Sequence, residues 1–436
     1  MKILVMSGTP WNDNNSFGNS YSNIFKGIDG IEFANISFGR YLEQTDSEIV
    51  SKSFQVTTKM LVKNLLKKSC KVGVEGYISP EESTAQNIEQ TSALKFAKKR
   101  RWQILFWVND LLWKIGRWKT PELDKFIDDF NPDLIFQPVY YGAHMNRLVR
   151  YVKKRTGVPM LGYISDDCYT LKRFSLSPLF WIDRLIKRRG VKRTIESCEI
   201  LYVISEIQRQ EYEKLFTPPC KILTKCEDFS ADAPDWELSK DKIKMVYAGN
   251  IGKGRGKSLE LISEAVEKLN QEGIEVEFDI YTRSPLDENI FNHVGTKLCG
   301  ASSYAEIFKI QKNADIMVHA EGLSLKDRLE VHQSFSTKLV DFFKLGKCIF
   351  AVGSYDQAFA KHLIDNDAAV VADSKEKVYI KLKELLNNPQ SIIDYGKKAY
   401  ECGKKNHSKE SIQQMLRDDL INTANIVKGI KKECKT

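Results

Sequence analysis

The segment Ser334-Phe-Ser-Thr-Lys-Leu-Val-Asp-Phe-Phe-Lys-Leu-Gly-Lys-Cys-Ile-Phe-Ala-Val-Gly353 decides what this chain can build. Leu339, Val340, Phe342, Phe343 and Leu345 fall at helical spacing and give a short helix one wide apolar stripe. Ser334 and Ser336 are good N-cap residues ahead of it, and Gly346 suits the left-handed C-cap behind it. Cys348-Ile-Phe-Ala-Val352 then reads as a strand buried on both faces. The opening turn, around Ser336, Thr337 and Lys338, presents free backbone N–H groups and a positive dipole end, which suit an anion such as a pyrophosphate. Lys338 adds a point charge, and Asp341, about one turn further on, is placed to accept hydrogen bonds from ribose hydroxyls. By local pattern alone, an ordinary capped helix–strand unit explains the same residues equally well.

Working outward, 436 residues exceed one ordinary domain and predict two, each with its own core. Residues 225–242 lose hydrophobic periodicity and read as the linker. The expected division is 1–228 and 243–407, with a closing helix over 408–436. Ahead of the linker, the apolar runs Ile3–Met6, Leu134–Phe136, Met160–Ile164 and Leu201–Ile204 alternate with helical patterns. That alternation predicts an α/β fold with mainly parallel sheets. After the linker a strand over Lys244–Ala248 runs into Gly249-Asn-Ile-Gly-Lys-Gly-Arg-Gly-Lys257, a glycine-rich loop with three cations, ahead of a helix expected from Ser258. Glycines let a backbone approach phosphate closely, and Arg255 offers a bidentate fork. The spacing is not that of a Walker A loop. Val276–Tyr281 and Asp315–His319 supply further strands.

Composition excludes several classes. Met1-Lys2 runs straight into Ile3–Met6, so no signal peptide is expected. The most apolar run, Ile104–Val108, is too short to span a bilayer. Nine cysteines carry no metal-ligand spacing, so a reduced cytoplasmic setting and no metal are expected. Residues 1–235 hold 35 basic and 28 acidic side chains, which concentrates most of the formal charge of +9 in the first half. An anionic partner for that half follows.

Two segments resemble a known family. Ser334–Gly353 is similar to the donor-binding segment of GT-B-fold glycosyltransferases of the retaining GT4-like group, where a serine-rich turn precedes a lysine, an acid–aromatic pair and Gly-Lys. Val246-Tyr-Ala-Gly-Asn-Ile-Gly-Lys-Gly-Arg-Gly-Lys-Ser-Leu259 resembles the opening of the donor domain in that group. The resemblance implies two Rossmann-like domains facing across a cleft, with the C-terminal helix returning to the first domain. It implies transfer of a sugar from a nucleotide-sugar donor to a glycan or lipid-linked acceptor with retention, in making cell-surface polysaccharide or glycoconjugate, and no cofactor or metal. Donor contacts are then expected from Gly249, Asn250, Arg255, Lys257, Gly300, Glu321, Ser336, Thr337, Lys338 and Asp341. On the acceptor side, the loop Ser7–Gly18 faces the cleft, with Gly18 letting its backbone approach a ligand; a plain surface loop is the competing reading.

The chain departs from the family in two places. Ser165 stands where relatives carry a histidine before Asp166, leaving Asp166 as a catalytic candidate and His144, after the preceding strand, as a second. Counting back from Asp341 for the other acid of the usual pair lands on Gln333, so Glu321 is the candidate replacement. A nucleotide-sugar-binding protein without transferase activity is therefore the runner-up. An NAD enzyme is disfavoured, since no Gly-x-Gly-x-x-Gly follows the first strand.

The last feature is cationic. Residues 95–119 carry Lys95, Lys98, Lys99, Arg100, Arg101, Lys114, Arg117 and Lys119 against the single acid Asp110, interleaved with Phe96, Trp102, Phe106, Trp107, Trp113 and Trp118. With the basic run 183–193, this composition favours a peripheral contact with an anionic membrane surface, the tryptophans at headgroup level. A helix packed on the sheet is the alternative, and no nucleic-acid-binding module accompanies it.

Overall fold

Residues 1–76, 103–230, 234, 236–239, 242–284 and 291–433 are described by the computed structural model. Lys95, Phe96, Lys98, Lys99, Arg100, Arg101 and Trp102 lie outside the described residues. Two sheets organise the rest. The first joins β1 (Lys2–Ser7), β2 (Glu32–Gly39), β3 (Val50–Thr57), β4 (Val74–Glu75), β5 (Leu134–Pro138), β6 (Met160–Ile164), β7 (Ile200–Val203) and β8 (Cys220–Ile222). Their order is β4-β3-β2-β1-β5-β6-β7-β8, parallel except for β4. The second joins β9 (Ile243–Ala248), β10 (Val276–Tyr281), β11 (Thr296–Gly300), β12 (Ile316–Ala320), β13 (Cys348–Val352) and β14 (Val370–Ala372), in the order β11-β10-β9-β12-β13-β14 and all parallel. In each sheet the strand order reverses once, between β1 and β5 and between β9 and β12, which opens a crevice at the carboxyl ends of those strands.

The strands legible from apolar runs are present within a residue or two of their expected ends. β2 and β3 were not, because their buried faces carry polar side chains. Asn35 is buried on β2, where its amide donates to the Val5 carbonyl and the Ser7 hydroxyl while its oxygen accepts from the Trp11 N–H. A hydrogen-bonded core asparagine breaks the apolar run that marks a strand.

The C-terminal helix Lys409–Glu433 returns to the first domain. Ile412, Leu416 and Leu420 join Ile3, Val5, Phe136 and Tyr202 in one core, and Asp419 accepts from the Tyr202 hydroxyl at 2.8 Å. The preceding helix Pro389–Asn406 stays with the second domain, packed on Lys338–Leu345 and β13. The linker is not a loose tether. Cys226 and Phe229 are buried, Trp236 donates to the Gly346 carbonyl at 3.0 Å, and the Ser239 N–H donates to Asp315.

Three local expectations are corrected. Trp113 and Trp118 belong to the first core, with Trp113 stacked on Phe38 and its indole N–H donating to the Thr58 hydroxyl, so neither is available to a headgroup layer. Gly18 serves no ligand approach: it is buried in the helix Ser16–Phe25, and the backbone of Asn12 occupies the space a Cβ would need. The helix after β9 starts at Arg255 rather than Ser258, entered through Gly254 at φ 79°, a left-handed turn that glycine adopts freely.

Candidate active site

The carboxyl ends of β9, β10 and β11 surround a cavity of about 650 Å3. Of the expected donor residues, Gly249, Asn250, Gly300 and Lys338 line it. The Lys338 ammonium donates to the Ala248 carbonyl at 2.7 Å and lies 6.0 Å from the Tyr247 ring centre. A Cβ on Gly249 would displace that ammonium from its place on the Ala248 carbonyl. Lys338 is exposed at the cavity wall. Loss of solvation and then the Arg255 charge lower its pKa, with Glu321 and Asp341 opposing.

Lys338 also opens the helix Lys338–Leu345, whose N-cap position is Thr337 and carries no side-chain cap bond. The cap expected from Ser334 or Ser336 is therefore not made. The helix instead starts behind Thr337, which has helical angles itself, while the Ser334 hydroxyl donates to Asp166 of the first domain at 3.1 Å. The Leu339 and Val340 N–H groups turn back onto the Ser336 and Thr337 carbonyls, so the donors left to meet an anion are those of the turn at 336–338.

Arg255 and Glu321 form a bidentate pair, Nε to Oε2 at 3.0 Å and Nη2 to Oε1 at 2.7 Å. Glu321 is buried, and burial raises its pKa against the pull of Arg255. Burial alone would lower Arg255, but the Glu321 carboxylate outweighs it and keeps the guanidinium charged. The fork expected to grip phosphate is thus occupied by protein. Beside it, burial drives His319 down to about 3, leaving a neutral imidazole with Nε2 3.8 Å from Glu321 Oε1. Lys257 is exposed on the helix Arg255–Gln271 and does not line the cavity.

Asp341 sits one helical turn from Lys338, where its carboxylate pairs with Lys225. Burial lowers Lys225, but Asp341 and Glu227 more than compensate and raise its pKa. The linker lysine was invisible in the sequence because nothing local marks a charge that pairs 116 residues away. Lys225→Gln is expected to lower unfolding free energy by about 1 kcal/mol, read from denaturant midpoints.

Other lining residues escaped the sequence reading: Thr282, Arg283, Ser284 and Tyr304. Tyr304 is 77% exposed beside the turn Gly300-Ala-Ser-Ser303, a free aromatic face at the cavity edge. The one available signal was an aromatic directly after that turn.

The first domain meets the second through the residues that follow its strands. Arg173 donates to the Glu330 carbonyl at 2.9 Å, and Ser205 donates to the Gln333 carbonyl at 2.7 Å. The Gln333 side chain donates to Glu211 at 2.6 Å. Gln333, standing where the family pattern expects an acid, is therefore a buried part of the domain seam. Asp166 is exposed at the same seam, while Asp167 is turned inward to Arg184, 2.9 Å away. His144 is stacked on Trp113 with ring centres 5.1 Å apart, and its Nδ1 lies 3.7 Å from Asp110.

No family model matches the chain, and no curated protein does. Among solved structures it is similar to sucrose-phosphate synthase from Thermosynechococcus elongatus, at 11% identity over 97% of this chain and 98% of that one, with a TM-score of 0.62. It is similar to Anabaena Alr3699/HepE in complex with UDP, at 10% identity over 97% and 100%, with a TM-score of 0.60. A variant of S. aureus TarM in complex with UDP matches at 11% identity over 98% and 100%, with a TM-score of 0.58. With these likenesses running over nearly whole chains and two parallel sheets of this order, the chain has the two-domain GT-B fold.

Proposed function

We propose that the protein is a glycosyltransferase that moves a sugar, with retention, from a nucleoside-diphosphate sugar to a glycan or lipid-linked acceptor in making cell-surface polysaccharide or glycoconjugate. The observation that carries the reading is the Lys338 ammonium, held on the Ala248 carbonyl beside an uncapped helix N-terminus, at a cavity lined by the carboxyl ends of β9, β10 and β11. Together they offer a cation and backbone donors to a leaving diphosphate. Tyr304 offers a stacking face for a base, and UDP is the natural first ligand, since Alr3699/HepE is known in complex with UDP and UDP-glucose. Asp166, exposed across the seam, is the group best placed to face an acceptor hydroxyl. As the bond from the sugar to the diphosphate breaks, its electron pair goes to the diphosphate, and the acceptor oxygen, passing its proton to the Asp166 carboxylate, bonds to the same carbon.

Lys338→Ala is expected to weaken UDP binding by about 1–3 kcal/mol, a loss of one charge-assisted contact. Calorimetry giving unchanged UDP affinity would remove Lys338 from the donor site. Asp166→Asn should leave that affinity intact while abolishing transfer. The runner-up, a binding protein without transfer, draws on Gln333 and Ser165 in place of the family's acid and histidine. Incubation with UDP-, GDP- and ADP-sugars, with and without a lipid-linked acceptor, separates the two. Acceptor-dependent release of nucleoside diphosphate supports transfer; binding without release under every pairing supports the runner-up.

A further inference from the structure

The helix Gln103–Ile115 turns its apolar stripe outward. Ile104, Val108, Leu111 and Ile115 follow the i, i+4, i+7, i+11 spacing of a single helix face, and each is about half exposed. Its inward face is the one with polar anchors: Trp107 donates to Asp183 at 2.8 Å, and Asp110 pairs with Lys187 at 3.1 Å. Both partners lie on the helix Pro178–Ile195, which carries its own exposed stripe of Leu179, Ile182 and Ile186.

These pairings fix how the two stripes stand relative to each other. Trp107 with Asp183 and Asp110 with Lys187 mean that the helices run side by side in the same sense. At about 100° per residue, the first stripe is rotated roughly a quarter turn one way from its contact line. The second stripe is rotated roughly a quarter turn the other way from its own. On parallel neighbours these opposite rotations bring both stripes to the same side. The second stripe continues, seven residues on, into Arg189 and Arg193, which are exposed and have no acidic partner among the described residues. Leu66, 84% exposed, ends the helix Thr58–Leu66, which packs on Gln103–Ile115, and is followed by exposed Lys67 and Lys68.

An apolar face of two parallel helices that grades into unpaired cations matches one partner chemically, a bilayer with anionic headgroups. We infer that the first domain docks on an anionic lipid surface through these outward aliphatic stripes, with Arg189 and Arg193 at headgroup level. The aliphatic side chains, not the tryptophans, do the inserting, since Trp113 and Trp118 are in the core. No helix among the described residues is long and apolar enough to cross a membrane, so the contact is made from one side. The inference stands on this face alone and does not depend on the donor-site reading.

The test is co-sedimentation of the full chain with vesicles of phosphatidylglycerol and phosphatidylcholine, and with phosphatidylcholine alone. Wild type should pellet with the mixed vesicles and stay largely in solution with the neutral ones. Arg189→Gln with Arg193→Gln should weaken the mixed-vesicle binding by about fivefold per cation removed. Ile182→Asp with Ile186→Asp should weaken it at least about tenfold, because charge replaces inserted aliphatic surface. Both variants should keep the wild-type melting temperature and UDP affinity. Wild type remaining in the supernatant with mixed vesicles would overturn the proposal. So would a concentration-dependent dimer that Ile182→Asp with Ile186→Asp dissociates while vesicle binding is unchanged, which would mean that a second copy covers this face.

Discussion

Glu321→Ala should unfold the second domain at markedly lower denaturant, at a cost of about 3–5 kcal/mol. The variant strips the two-point partner from Arg255 and leaves a partly buried guanidinium with Glu330 as its remaining acidic neighbour. Replacing both members with leucine is expected to cost far less than the sum of the single changes, since neither charge is then buried alone. The double-mutant cycle, followed by a probe in the second domain, reads the coupling directly. A loss below about 1 kcal/mol in Glu321→Ala would show that water reaches Arg255 and that the pair does not hold the loop.

Acidification is the second large effect, and it acts at the joint between the domains. His362 of the helix Ala358–Asp365 and His407 at the end of Pro389–Asn406 face each other with Nε2 atoms 3.3 Å apart. His407 Nδ1 lies 2.9 Å from the Thr224 hydroxyl, and Phe335 stacks on its ring. Burial lowers His362 to about 4, with Asp365 opposing weakly, and burial together with His362 lowers His407 to about 3. Both imidazoles are neutral in the folded state while the unfolded chain protonates near pH 6.5. The unfolded state therefore binds more protons between about pH 6.5 and 4, and stability falls as pH drops through that window. The stabilising contribution is complete above pH 6.5, and at pH 5 the loss is about 2 kcal/mol per imidazole. Thermal unfolding at pH 7 and pH 5 should show a steep decline in wild type and a shallow one in the His362→Gln, His407→Asn double variant. Equal slopes would assign the acid sensitivity elsewhere.

Much of the architecture was legible in the chain because it rests on local periodicity. The helix at Lys338, the strands on either side of it, the glycine-rich turn after β9 and the closing helix each carry their pattern within about twenty residues. Residues that line the cavity by backbone proximity, such as Gly249 and Lys338, were legible for the same reason. Other assignments depended on partners far away in sequence. Arg255 reads as a free phosphate fork until Glu321, 66 residues on, takes both its arms. The tryptophans of 102–119 read as a membrane belt, but Trp113 and Trp118 turn out to be core, because Phe38 and Thr58 stand ready to receive Trp113. Composition by itself determined that this segment is amphipathic and basic. Only tertiary packing decided which face is which, because a helix buries whichever side its neighbours can satisfy, and here they satisfied the indoles and left the aliphatic stripe outside.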